Sequence, residues 1–85
     1  MQKLFEAEYE GNYIKVRNTW FNGEQLYVND ELQDENLGLA FRSTLYGRIK
    51  ASEKPKVIKV TLGGNIKMNC SIFVDHEPLD VYLVK

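Results

Sequence analysis

Eighty-five residues, 44 % hydrophobic and 27 % charged, make one domain with a single small core. Twelve acidic and eleven basic residues, mixed along the chain to a net charge of −1, include neither a basic run nor an acidic block. One cysteine (Cys70) and one histidine (His76) exclude an intramolecular disulfide and any multi-cysteine metal site.

No stretch approaches the about 18 apolar residues of a membrane span, and the first residues show neither a hydrophobic signal core nor an Arg-rich presequence. The expectation is a soluble cytoplasmic protein with no membrane partner and no cofactor.

Residues 3–9 alternate Phe5, Ala7 and Tyr9 against Leu4, Glu6 and Glu8. That period of two predicts a half-buried strand with the first set inward. Glu10-Gly11-Asn12 is a turn signal, because Gly and Asn adopt positive φ at low cost. Residues 13–20 resume the alternation, with Ile14 and Val16 inside and Lys15 and Arg17 in water. Asn22-Gly23, within 21–24, suits a two-residue type I′ turn. A short strand over 25–28 follows, and Asn29-Asp30 turns the chain again. Residues 30–36 are polar and acidic, with Leu32 the lone apolar anchor, and read as a loop with room for one helical turn.

Residues 37–51 fit two periods. Leu37, Ala40, Phe41, Thr44, Leu45 and Ile49 make a helical stripe. At spacing two, Leu37, Leu39, Phe41, Leu45 and Ile49 turn inward and nearly every charge turns out. Gly38 and Gly47 would each cost a helix about 1 kcal/mol. The strand is predicted, with a bend or bulge at Gly47. Pro55 cannot donate to a ladder, so the next strand is expected at or after Lys56. Residues 57–62 alternate, Gly63-Gly64-Asn65 turns the chain, and 66–74 form the cleanest amphipathic strand. After a turn over 75–78, residues 79–84 close with Leu79, Val81 and Leu83 on one face.

A faint internal repeat runs through these elements. Ile14-Lys15-Val16 and Ile58-Lys59-Val60 are identical, and each precedes a Gly-containing turn. Leu26-Tyr27-Val28-Asn29 or Ile72-Phe73-Val74-Asp75 then follows. The pattern predicts two equivalent hairpins, each contributing to one sheet of a sandwich. The fold class expected is an all-β, single-domain antiparallel β-sandwich of about seven short strands.

Side chains capable of chemistry are few. Cys70 lies on the apolar face of its strand, where burial suppresses the thiolate. His76 sits in the turn Asp75-His76-Glu77-Pro78, and adjacent turn residues do not converge on one point. The acidic stretch after Asn29 lacks the spacing of a calcium loop. Gly63-Gly64 lacks the following helix that a phosphate turn needs.

Two surface features remain. Trp20-Phe21, with Tyr27, are candidate contacts for a protein partner or for a second copy of the chain, since strand neighbours alternate and one ring must point outward. The outward row Arg42, Tyr46, Arg48 and Lys50, joined by Thr44, is a basic stripe with one aromatic. Such a row can bind single-stranded nucleic acid. The slightly acidic net charge argues instead for a solvated face that guards against edge-to-edge pairing.

Set in order, the segments resemble the β-sandwich domain of the Fas apoptosis inhibitory molecule family. The resemblance rests on Gly23-Glu-Gln-Leu-Tyr-Val-Asn29, Leu39-Ala-Phe-Arg with Tyr46-Gly47, and Lys56-Val-Ile-Lys-Val60. It continues with Gly64, Ile72-Phe-Val-Asp75 and a closing Leu79, so it spans Ile14 to Leu79. Where that family's hairpins typically carry Val-Asp-Gly or Val-Asn-Gly, this chain has Val28-Asn29-Asp30 and Val74-Asp75-His76. The strand texture is also similar to short uncharacterised proteins of Gram-positive bacteria. Either resemblance implies a non-enzymatic β-sandwich, with no functional residue to carry over. The expected function is a non-catalytic interaction or self-associating module, and the alternative is single-stranded nucleic-acid binding.

Overall fold

Alternating apolar residues at period two fold into strands throughout a computed structural model that describes residues 2–19, 23–37, 42–51, 54–63 and 69–84. Among these residues nine strands form two antiparallel sheets. They are β1 (Gln2–Tyr9), β2 (Asn12–Thr19), β3 (Gly23–Val28), β4 (Glu31–Asn36), β5 (Arg42–Ala51), β6 (Lys54–Gly63), β7 (Asn69–Val74), β8 (Glu77–Pro78) and β9 (Tyr82–Leu83). One sheet runs β4-β3-β2-β1-β9 and the other β5-β6-β7-β8. The inward side chains of both sheets meet in one apolar cluster built on Phe5, Ile14, Val16, Leu26, Leu45, Ile49, Ile58, Val60 and Ile72. This is the expected all-β sandwich. No helix among the described residues is long and apolar enough to cross a membrane.

The repeat is a repeat of register. Ile14 pairs with Val28 and Val16 with Leu26 in the first sheet, and Ile58 pairs with Val74 and Val60 with Ile72 in the second. The preceding strands match as well, with Phe5 opposite Val16 and Leu45 opposite Val60. Strands β1–β4 and β5–β8 are therefore two copies of one arrangement, and the copies end differently. In the first, Leu32 pairs with Tyr27 and β4 continues to Asn36. In the second, Pro78 pairs with Phe73 and β8 stops there, with one further bond from the Leu79 N–H to the Ile72 carbonyl at 2.9 Å. The chain then crosses to add β9 beside β1.

Several expectations are corrected. Residues 31–36 are a strand, not a loop. Polar side chains hold them in place, so no apolar alternation marks them: half-buried Asp34 accepts the Tyr46 N–H (2.9 Å), exposed Gln33 accepts the Arg48 N–H (3.4 Å) and half-buried Asn36 donates to Glu24 (3.3 Å). Together with the two-residue β8, this raises the strand count from seven to nine. Asn22-Gly23 is not a two-residue turn: Thr19 pairs with Gly23, which leaves three residues between them and makes Gly23 the first of β3. Gly23 has φ +81°, and a Cβ there would lie 1.9 Å from the Asn36 carbonyl oxygen.

No bulge occurs at Gly47. The β5–β6 register runs unbroken from Arg42 to Ala51, and the irregularity falls on β4 opposite Leu26 and Tyr27. Gly47 instead admits a close neighbour, since a Cβ there would sit 3.0 Å from Leu26 Cδ2 and 3.2 Å from Gln33 Cβ. Leu37 precedes β5 and is exposed rather than inward; 38–41 lie outside the described residues. Strand β6 begins at Lys54, two residues early, and Pro55 pairs with Lys50 where β7 has not yet joined the ladder. Gly63 ends β6 opposite Asn69, and the expected turn at Gly63-Gly64-Asn65 and the start of the next strand fall on 64–68, outside the described residues. Of 79–84 only Tyr82 and Leu83 pair; Leu79 and Val81 pack on the core while Leu83 is half exposed.

Candidate binding face on the four-stranded sheet

The two sheets differ in charge. Strands β5–β8 carry six basic residues and one acidic one (Glu77), whereas β1–β4 carry six acidic and three basic. The charges that look mixed along the chain, at a net −1, are sorted by sheet once the strands are placed.

Register then sets the rows on the outer face of the basic sheet. Tyr46 on β5 pairs with Lys59 on β6, and Lys59 pairs with Phe73 on β7. Two residues along, Thr44, Thr61 and Ser71 form a hydroxyl row; on the other side, Arg48 pairs with Val57. Tyr46 and Val57 are 54 % and 47 % exposed, which is high for apolar bodies on a regular sheet face. Lys59 and Arg48 are exposed, and Phe73 is half-buried. Among the described residues neither cation forms an ion pair. Tyr46, Val57, Lys59 and Phe73, with Asp75 and His76 at the rim, line an open depression of about 370 Å³.

The rim is built by backbone chemistry. Asp75 and His76 have φ of 46° and 70°, so both central residues of the β7–β8 turn are left-handed, as type I′ requires. The Asp75 carboxylate accepts the Val57 N–H at 3.0 Å, and the Asp75 N–H donates to the Val57 carbonyl at 3.0 Å. One carboxylate beside the face is thus engaged in holding the corner.

On the equivalent face of the five-stranded sheet the cations of β2 are engaged by neighbouring side chains, while Tyr82 on β9 is exposed. The Tyr27 ring lies under Lys15 Nζ and Arg17 Cζ, 5.6 and 5.9 Å from its centroid, and its hydroxyl donates to Gln25 at 3.1 Å. Lys15 also lies 3.6 Å from Asp30. The Tyr13 hydroxyl donates to the Glu6 carboxylate, which together with partial burial raises its pKa to about 12. At the edge of the core, Lys56 Nζ donates to the Tyr9 hydroxyl at 2.6 Å, a bond that holds the ammonium above its ordinary pKa.

Of the residues singled out from sequence, Tyr46 and Arg48 stand on the exposed face as expected. The backbones of Arg42 and Lys50 share their register parity; their side chains lie outside the described residues. Trp20 and Phe21 also lie outside them, and Tyr27 is half-buried. Cys70 is half-buried, and burial pushes its thiol up to about 12. Sequence reasoning missed Lys59 and Phe73, although both fall at outward positions of alternating strands; only the pairing of β5, β6 and β7 reveals that they adjoin Tyr46. It also missed Glu24, buried at 2 % exposure where Asn18 and Asn36 donate to its carboxylate at 3.2 and 3.3 Å. Among the described residues no three His, Cys, Asp or Glu side chains converge to hold a metal.

No protein-family model, curated protein or solved structure matches the chain.

Proposed function

We propose that this chain is a non-catalytic binding module that takes an anionic partner on the outer face of the four-stranded sheet. The observation carrying this reading is exposed Lys59 set between Tyr46 and Phe73, with exposed Arg48 in the next row, on a sheet that holds six basic residues and one acidic one. A face that serves solubility alone mixes both signs and keeps large rings covered. Exposed aromatics beside cations are instead the composition of contact surfaces. On the opposite sheet the corresponding cations lie on Tyr27 and beside Asp30, so that face offers less charge to a partner.

The non-catalytic part of the reading rests on the two side chains most capable of chemistry. The raised Cys70 pKa leaves little thiolate at neutral pH. His76 sits on a left-handed turn whose neighbouring carboxylate already accepts a backbone N–H. The resemblance to the Fas apoptosis inhibitory molecule sandwich implies the same. A cytoplasmic setting, where a lone cysteine stays reduced, suits the reading.

Titration with inorganic polyphosphate at low salt, followed by calorimetry, tests it. Binding is expected, with loss in the double variant Arg48→Glu/Lys59→Glu and retention in Lys3→Glu on β1. A native chain that binds no polyphosphate, or a double variant that binds as the native chain does, contradicts the proposal.

A further inference from the structure

We infer that the anionic partner is single-stranded nucleic acid, an inference that rests on the binding face proposed above. Three features of the face separate this ligand from other polyanions. The first is the spacing of the rings. Tyr46 and Phe73 stand on β5 and β7 in one row, with β6 between them. Strands lie about 4.8 Å apart, so their backbones are about 10 Å apart, beyond the roughly 4.5–7 Å at which rings stack on one another. The exposed Tyr46 ring and the half-buried Phe73 ring are therefore too far apart to cover one another, and each can meet a separate planar ligand.

The second is Lys59, at the midpoint of that row. A phosphate joining two nucleotides whose bases stack on Tyr46 and Phe73 passes over the position of Lys59, and Arg48 extends the same charge along β5. Base stacking on sheet-borne aromatics, with cations tracking the backbone, is how strand-sensing sheet platforms hold single strands. The third is the Thr44, Thr61 and Ser71 row, about 7 Å along the strands, which supplies hydroxyl donors and acceptors for base edges or phosphates.

Other polyanions leave part of this face unused. An acidic peptide is met by Lys59 and Arg48 and gains little from two separated rings. A duplex keeps its bases stacked inside and offers phosphates alone. The depression is open, so a base can reach the rings from solvent. Asp75 lies at the rim, not in the row, and its carboxylate faces the Val57 N–H.

A short labelled oligothymidylate, inorganic polyphosphate and a glutamate-rich peptide, each titrated at low salt against the native chain, Tyr46→Ala and Tyr46→Phe, provide the test. Tyr46 is largely exposed, and circular dichroism checks that each variant keeps its fold. The oligonucleotide is expected to bind more tightly than either of the other two. Tyr46→Ala weakens it about ten-fold, Tyr46→Phe restores it, and polyphosphate binding stays unchanged in both. If the oligonucleotide binds no more tightly than polyphosphate, or Tyr46→Ala leaves its affinity unaltered, the inference is overturned while the anion-binding reading stands. A tighter complex with the peptide also overturns it, in favour of an acidic protein. Failure of all three to bind overturns both.

Discussion

Asp75 accepts the Val57 N–H at 3.0 Å, and this bond fixes the corner where β7 turns into β8 beside the candidate face. Asn29 does the same for the Tyr13 N–H at 2.9 Å in the other sheet. In both corners the next residue, His76 or Asp30, has a left-handed backbone, with φ of 70° and 66°. A non-glycine residue in that region costs about 1–2 kcal/mol, part of which glycine gives back through its larger unfolded-state entropy. His76→Gly and Asp30→Gly are therefore each expected to stabilise the fold by about 0.5–1 kcal/mol. Thermal melts would show a rise of a few degrees for a chain of this size.

The bond from Asp34 to the Tyr46 N–H lies on the seam between the sheets, where it caps the outer edge of β5. Asp34→Ala removes a side chain–backbone bond worth about 1 kcal/mol and uncovers a strand edge able to pair with another chain. We expect a lowered denaturation midpoint and association that grows with concentration, read by sedimentation velocity.

Gly47 occupies the position that Ala7 holds in the first copy, opposite Ile58 as Ala7 is opposite Ile14. The smaller residue stands in the second copy because Leu26 and Gln33 pack over β5. Gly47→Ala brings a Cβ within 3.0 Å of Leu26 Cδ2 and is expected to cost about 1–3 kcal/mol. Gly23→Ala is expected to cost more, because its obstacle, 1.9 Å away, is backbone. Urea denaturation with an unchanged m-value checks both.

The raised pKa values of Cys70 and Tyr13 predict a loss of stability at alkaline pH. Burial raises the Cys70 thiol from 9.0 to about 12, and the bond to Glu6 raises Tyr13 from 10.0 to about 12. Both shifts favour the protonated form in the folded chain. Their contribution is complete below pH 9 and is lost as pH rises toward 12, because the unfolded chain releases these protons first. Stability measured by denaturation at stepped pH is expected to fall above pH 9, less steeply in Cys70→Ala. A thiol reagent at pH 8 should modify native Cys70 slowly and the unfolded chain quickly.

The alternation of Phe5 and Ala7, Ile14 and Val16, Ile58 and Val60, and Ile72 and Val74 made the sheet faces and the repeat legible in the sequence. Strand β4 was not legible, because Gln33, Asp34 and Asn36 bond to β5 amides and to Glu24 rather than bury carbon. The turn at Asn22-Gly23 misled because Gly23 is needed for the approach of Asn36, a contact distant in sequence. The binding face was half legible. Tyr46 and Arg48 stood out on β5, but Lys59 and Phe73 join them only through strand pairing. The net charge of −1 also concealed an acidic sheet balanced by a basic one.

The most direct measurement is a titration of the isotope-labelled chain with a short oligothymidylate at low salt, followed amide by amide in NMR spectra. The account predicts that shifts concentrate at Tyr46, Arg48, Val57, Lys59, Phe73 and His76 and reverse on adding salt. Shifts centred on Tyr13, Lys15, Arg17 and Tyr27 of the other sheet, or no shifts at all, would contradict it.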